Sequence, residues 1–353
     1  MDAATAETLL AFAESTGPTV RAPAPDGKAA LDAIDERSTE LVAAIGWFAE
    51  AGRADEALRL ANALYAFWIT KQRFDDGWAA YDRALAASGG APNLRARASI
   101  DAGFMPFWTG DDERATAAFQ RGLDIAREID ETGLVSRGLG GLIRVALRAD
   151  VAEARRLGLE ALAYSDAAGN IDGRSDALHL LGVGAQIAGD LPEAGDWMRQ
   201  RLALVREQGN EALIASEAGN LSMVERQLGN LDESEALVRE ALEIADRRGD
   251  EFMKPFALSG FAAIATERGE DRRAATLVGA AEAIMEAQNM AWPPDERPHY
   301  ERMLAVLPER MGSVEFERAR AAGRSMPTAE AVTFALGAPV AKSNRDLTGN
   351  VSR

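Results

Sequence analysis

A beat of forty residues constrains this chain more than any other feature. Three stretches align: "GDLPEAGDWMRQRLALVREQGN" at 189–210, "GNLDESEALVREALEIADRRGD" at 229–250 and "GEDRRAATLVGAAEAIMEAQNM" at 269–290. Earlier copies start at Ala149 ("ADVAEARRLGLEALAYSDAAGN") and Gly110 ("GDDERATAAFQRGLDIAREIDE"), and "GRADEALRLANALYAFW" from Gly52 repeats the turn once more. A fixed period of this length is the mark of a solenoid, in which each unit buries its apolar face against the next. A chain of 353 residues exceeds what one hydrophobic core usually serves, and stacking removes that limit.

Each beat has a physical reading. Glycine ends one helix, and the Asp or Asn that follows caps the next. Pro192 fits the first helical turn, where a missing N–H costs nothing. Small residues recur five positions after the turn, at Ala154, Ala194, Ser234 and Ala274, and seven later at Ala161, Ala241 and Ala281. Such a stripe lets two helices approach closely; Arg201 interrupts it in one copy. Between the beats lies a second helix, as in "SDALHLLGVGAQIA" (175–188), and no segment alternates like a strand. The expectation is all-α: a right-handed superhelix of six to seven antiparallel hairpins, with helices of about 17 residues.

The turn "GDLPEA" with its small residues looks like a tetratricopeptide repeat with lengthened helices. The segments 32–68 and 275–336, the latter with its "PP" loop and "AAGRSMPTAEAV" end, resemble the opening and closing parts of one repeat region. That region belongs to large ATP-binding bacterial transcription regulators of the LuxR type and related predicted ATPases. The resemblance implies a sensing or scaffolding role in the bacterial cytoplasm. It does not carry over ATPase or DNA-binding activity. No G-x-x-x-x-G-K-[ST] exists; around Gly27-Lys28, alanines stand at 22 and 29 where that loop needs Gly and Ser or Thr.

Composition excludes further classes. Lys and Arg number 39 against 56 Asp and Glu, and the net charge of −17 repels nucleic acid. No basic block overrides it. Cysteine is absent, which suits a reducing compartment, and no run of apolar residues is long enough for a membrane span. The start lacks a signal peptide. "GLGGL" (138–142) fails the dinucleotide fingerprint at Ile143. With two histidines, His179 and His299, neither a metal site nor a cofactor is expected. Ser175, Asp176 and His179 share a helix but make a poor triad without an oxyanion donor. The chain reads as no enzyme; Asp101, His179 and Arg226 are the polar residues such a reading would need.

In tetratricopeptide solenoids the first helix of each hairpin lines a concave groove. Counting back ten, six, three and two positions from each turn places the inward row. It comprises Ile100, Phe104, Phe107 and Trp108, then Leu139, Ile143, Ala146 and Leu147, then His179, Val183, Gln186 and Ile187. Gly219, Met223, Arg226 and Gln227 follow, then Ser259, Ala263, Thr266 and Glu267. The Lys and Asn of a carboxylate clamp are missing from it. "AGFMPFWTGDD" (102–112) leaves two readings open, packing against the next hairpin or forming a groove wall; Pro106 is expected to kink that helix. Trp47, Trp68, Trp78, Tyr65, Phe67 and Phe74 crowd the same end, as a cover for the terminal core or as a dimer face or pocket floor.

The expected organisation is an N-terminal helix with a Pro-rich linker (1–30), repeats (31–291), capping helices (292–337) and a flexible tail (338–353), with Trp292, Pro293 and Pro294 capping the last hairpin. The expected role is a scaffold that holds a protein or peptide on its concave face. The alternative is a sensor for a small hydrophobic molecule, with neither nucleic acid nor membrane as partner.

Overall fold

The computed structural model describes residues 1–21, 25–288, 290–292 and 296–337. Pro293, Pro294 and the tail from 338 lie outside them. The chain divides into two compact units, Met1–Ala188 and Gly189–Arg353. Among the described residues all regular structure is helical.

The first unit holds α1 (Ala3–Thr16), a 3₁₀ turn (Gly17–Arg21), α2 (Asp26–Glu36), α3 (Ser38–Glu50), α4 (Ala54–Ala63), α5 (Tyr65–Thr70) and α6 (Phe74–Ala86). It continues with α7 (Pro92–Thr109), α8 (Asp112–Glu128), α9 (Thr132–Ala146), α10 (Val151–Ala168) and α11 (Ile171–Ile187). The second unit holds α12 (Leu191–Glu207), α13 (Glu211–Gln227), α14 (Leu231–Arg248), α15 (Lys254–Glu267) and α16 (Asp271–Ala287). It closes with α17 (Arg297–Met311), α18 (Ser313–Arg324) and α19 (Thr328–Ala335). No helix among the described residues is long and apolar enough to cross a membrane.

The turns are built as the beat requires. Gly189 and Gly229 have φ of 80° and 86°, and a Cβ added at either would meet nothing within 4 Å. Backbone conformation, not crowding, therefore selects glycine there. Where the beat brings Asp130 to such a turn, the residue still sits at φ 52°, a region Asp tolerates better than most. The side chains of Asp111, Asp150, Asn170, Asp190 and Asn210 each accept the amide three residues on, at 3.0–3.2 Å. Asn230 departs from this: its amide donates to the buried Glu225 at 2.7 Å.

The small stripe is the hairpin seam. Ala154, Ala194, Ser234 and Ala274 are buried, as are Ala161, Ala241 and Ala281. Ser234 and Ser222 join α14 to α13 through their hydroxyls, 2.9 Å apart. Arg201 does not leave the seam. It is 5 % exposed and ion-paired with Glu217 on α13, which is fully buried. Glycines set two close approaches. A Cβ on Gly141 of "GLGGL" would lie 2.5 Å from the Phe119 ring, and one on Gly323 would lie 1.8 Å from the Thr276 carbonyl oxygen. Gly141 of "GLGGL" thus admits a phenyl ring, and the "AAGRS" glycine lets α18 touch α16.

Of the two states open to the Pro-rich linker, extended or tied along the surface, residues 17–21 take the tied one, as a 3₁₀ turn: Gly17 and Val20 are buried, and a Cβ on Gly17 would lie 2.2 Å from the Ala63 carbonyl oxygen of α4. Helix α7 includes Pro106 and runs on to Thr109, with the Pro106 carbonyl accepting the Asp111 amide of the turn at 2.9 Å.

Candidate ligand-binding face

In the second unit the first helices of two successive hairpins, α13 and α15, lie side by side. A pocket of about 230 Å³ opens on them. Gly219, Met223 and Arg226 line it from α13, and Ser259 and Ala263 from α15. These five belong to the inward row counted from the turn glycines. Val238 and Ala241 of α14 also line it. Phe252, Met253 and Phe256 form an apolar rim, on which Phe252 is 58 % exposed.

Helix α17 supplies the polar side. Glu296 and His299 line the pocket, and His299 Nδ1 is 3.2 Å from the Arg226 guanidinium. Arg226 is 8 % exposed and ion-paired with Glu267. A buried guanidinium with a carboxylate partner is electrically settled, so it orients α15 and α17 rather than attracting an anion. Ser216, Asn220 and Ser259 add hydroxyl and amide groups along the two helices. An aromatic ladder runs from the rim: Phe252 to Phe256 at 5.4 Å, Phe256 to Trp292 at 6.1 Å, and Trp292 stacked on Tyr300 at 4.8 Å.

The first unit distributes its expected residues differently. Phe104 is buried edge-on against Phe119 of α8, with centroids 4.9 Å apart, and Phe107 is buried beneath the Arg148 guanidinium, 3.9 Å away. Trp108 is 55 % exposed and leans on Phe107 at 5.2 Å. Leu139 and Ile143 are each 1 % exposed and sit in the core with Phe119. Helix α9 ends at Ala146 and the turn at Ala149 has no left-handed residue, so a count back from Ala149 is out of phase. Arg137 and Arg144 of the same helix are half-buried. His179, Val183 and Gln186 are half-buried along one side of α11. Asp101 is fully buried and takes two hydrogen bonds from Arg137, at 2.9 and 2.6 Å.

Sequence reasoning missed Phe252, Phe256, Glu296 and His299. Phe252 lies in a turn, Phe256 falls on α15 outside the counted offsets, and Glu296 and His299 lie beyond the last repeat. The aromatic density around Trp292 was the available signal. No group of three or more His, Asp or Glu that could hold a metal occurs among the described residues.

The architecture of hairpins with left-handed glycine turns and a small-residue seam decides the fold type. It is a tetratricopeptide-type helical repeat. Solved structures agree. A Rap protein complexed with Competence and Sporulation Factor superimposes with a TM-score of 0.54 at 12 % identity, covering 86 % of this chain and 83 % of that one. The apo form of RapI gives 0.51 at 13 %, covering 72 % and 98 %. A signal-transduction ATPase with numerous domains and a tetratricopeptide repeat sensor, from Pyrococcus horikoshii, gives 0.51 at 10 %, covering 89 % of this chain and 54 % of that longer one. The tetratricopeptide-type repeat is thus a structural counterpart to the sensor region that the sequence resembles. No family model matches the sequence, and no curated protein matches it.

Proposed function

We propose that this chain is a non-catalytic binding module. It holds a peptide or a segment of a partner protein on the face made by α13 and α15. An apolar side chain of that partner sits in the pocket of the second unit. The observation that carries this reading is the exposed Phe252 beside a pocket whose rim is Phe and Met. Large apolar side chains left in water at a concave site mark contact surfaces. The asparagine and serines along α13 and α15 suit the backbone groups of an extended partner. The neighbour complexed with Competence and Sporulation Factor supports a bound-partner role for this fold.

Volume separates this from the small-molecule reading. Small-ligand sites enclose about 300–1,000 Å³. The 230 Å³ here is smaller and fits an anchoring side chain better than a whole ligand. The net charge of −17 speaks against a nucleic-acid partner. The resemblance to repeat regions of transcription regulators supports a regulatory, cytoplasmic setting.

The test is a displayed random-peptide library panned against the full chain. Enriched sequences should share a large apolar anchor. Their affinity should fall by at least about tenfold in Met223→Glu and in Phe252→Asp, as expected for losing an anchor worth 1–2 kcal/mol. Equal binding to wild type and both variants contradicts the site. No enrichment, together with one-site uptake of an apolar dye that Met223→Glu abolishes, transfers the pocket to a small ligand.

A further inference from the structure

The first unit carries an open pocket of about 570 Å³, within the range of small-molecule sites. Its walls come from the end of α1, the 3₁₀ turn, α4, α5 and the start of α7. Three guanidiniums line it, Arg21, Arg59 and Arg97, against one carboxylate, Glu14. In a chain of net charge −17 such a local surplus of cations stands out.

Following each charge to its partner shows which remain unanswered. Glu14 takes both hydrogen bonds of Arg59, at 2.8 and 2.7 Å, so that pair is neutral. Asp101 is held by Arg137 at 2.6 Å and offers Arg97 only a long contact of 3.5 Å. Arg97 stays 55 % exposed. Arg21 has no acidic partner among the described residues, and its guanidinium rests 5.4 Å from the Tyr65 ring centroid. Tyr65 contributes no negative charge to offset them: burial pushes its hydroxyl above the ordinary tyrosine value. The Arg137 guanidinium lies 4.9 Å from the same ring centroid. Arg97, held only by that long contact, and Arg21, with no acidic partner among the described residues, therefore line one cavity, where a bound anion would relieve their mutual repulsion.

We propose that the first unit is an oxyanion receptor, taking a small molecule through a carboxylate or phosphate group held between Arg21 and Arg97 beside Tyr65. Planar guanidiniums pair with both groups through two parallel hydrogen bonds, which makes arginine the fitting residue. This site is independent of the peptide face of the second unit.

Calorimetric titration of the full chain at low salt with succinate, with citrate and with inorganic phosphate tests it. At least one should bind saturably at one site per chain, and its identity separates carboxylate from phosphate. Affinity should fall by at least about tenfold in Arg21→Ala, as expected for losing a charge-assisted contact. It should fall likewise in Arg97→Ala, recover largely in Arg97→Lys, and weaken as salt rises. Arg156→Ala, which removes another arginine from an ion-paired surface, and Met223→Glu should leave it unchanged. Arg21 makes no ion pair, so its variant should keep the wild-type circular dichroism and unfolding midpoint. Absence of saturable binding of all three probes up to about 10 mM, or unchanged affinity in Arg21→Ala, overturns the proposal.

Discussion

The ion pair of Arg201 and Glu217 offers a sharp test of how the hairpin seam is held. Arg201 stands where other copies place Ala161, Ala241 and Ala281, and its side chain is 6 % exposed while that of Glu217 is fully buried. Moving both charges out of water costs several kcal/mol each, and mutual attraction returns about as much. The pair should therefore add little net stability, yet breaking it should be expensive. Glu217→Leu takes a carboxylate away from a buried guanidinium, at a cost of about 3–5 kcal/mol. Arg201→Met leaves a buried carboxylate and should cost about the same. The double substitution Arg201→Met with Glu217→Leu should return to wild type or exceed it by about 1–4 kcal/mol. Urea unfolding followed by far-ultraviolet circular dichroism reads the difference. With a slope of about 2–3 kcal/mol per molar, each single variant should lower the midpoint of the transition that includes the second unit by about 1–2 M. Single variants costing less than about 1 kcal/mol would show that water reaches the pair. A double variant as weak as the singles would show that packing, not charge, is what those side chains supply.

Two further predictions follow from the packing and the titrating groups. Gly323→Ala must push α18 off α16, because its Cβ would sit 1.8 Å from a backbone oxygen; a loss of about 3 kcal/mol or more in thermal or urea unfolding is expected, whereas Gly219→Ala, which meets nothing within 4 Å, should be neutral or gain up to about 1 kcal/mol. Burial lifts Tyr65 and Tyr81 above the usual value of 10.0, and burial with the Glu282 carboxylate lifts Tyr300 to about 12. Raised native values mean that these hydroxyls stabilise the fold fully below pH 10, where the unfolded chain begins to ionise, and that the contribution is lost as pH rises through each native value, for Tyr300 between about 10 and 12. An absorbance titration should show most of the tyrosine ionisation of this four-tyrosine chain above pH 10, moving down when urea unfolds it.

The fold was open to reading because its devices are local and recur. A left-handed glycine, an Asp or Asn cap and a small residue at fixed offsets need no knowledge of distant contacts. What escaped was whatever depends on partners far along the chain. Arg201 looked like an interruption because the buried Glu217 that answers it lies on the next helix. Leu139 and Ile143 were placed in the groove row by a phase that α9 does not keep. The pocket was legible from α13 and α15, since Gly219, Met223, Arg226, Ser259 and Ala263 do meet. Phe252 and the α17 side belong to segments with no repeat to count from, and Phe256 of α15 falls outside the counted offsets. The cation surplus near Tyr65 could not be seen as a basic block, because Arg21, Arg59 and Arg97 come from three separate elements.

Hydrogen–deuterium exchange on the full chain, with and without the strongest peptide from the library, addresses the central claim most directly. Added protection should concentrate in residues 216–226 and 252–263, which carry the pocket from Ser216 to Arg226 and from Phe252 to Ala263. Protection confined to the first unit, or spread over α12, α14 and α16 while α13 and α15 stay unchanged, would contradict the account.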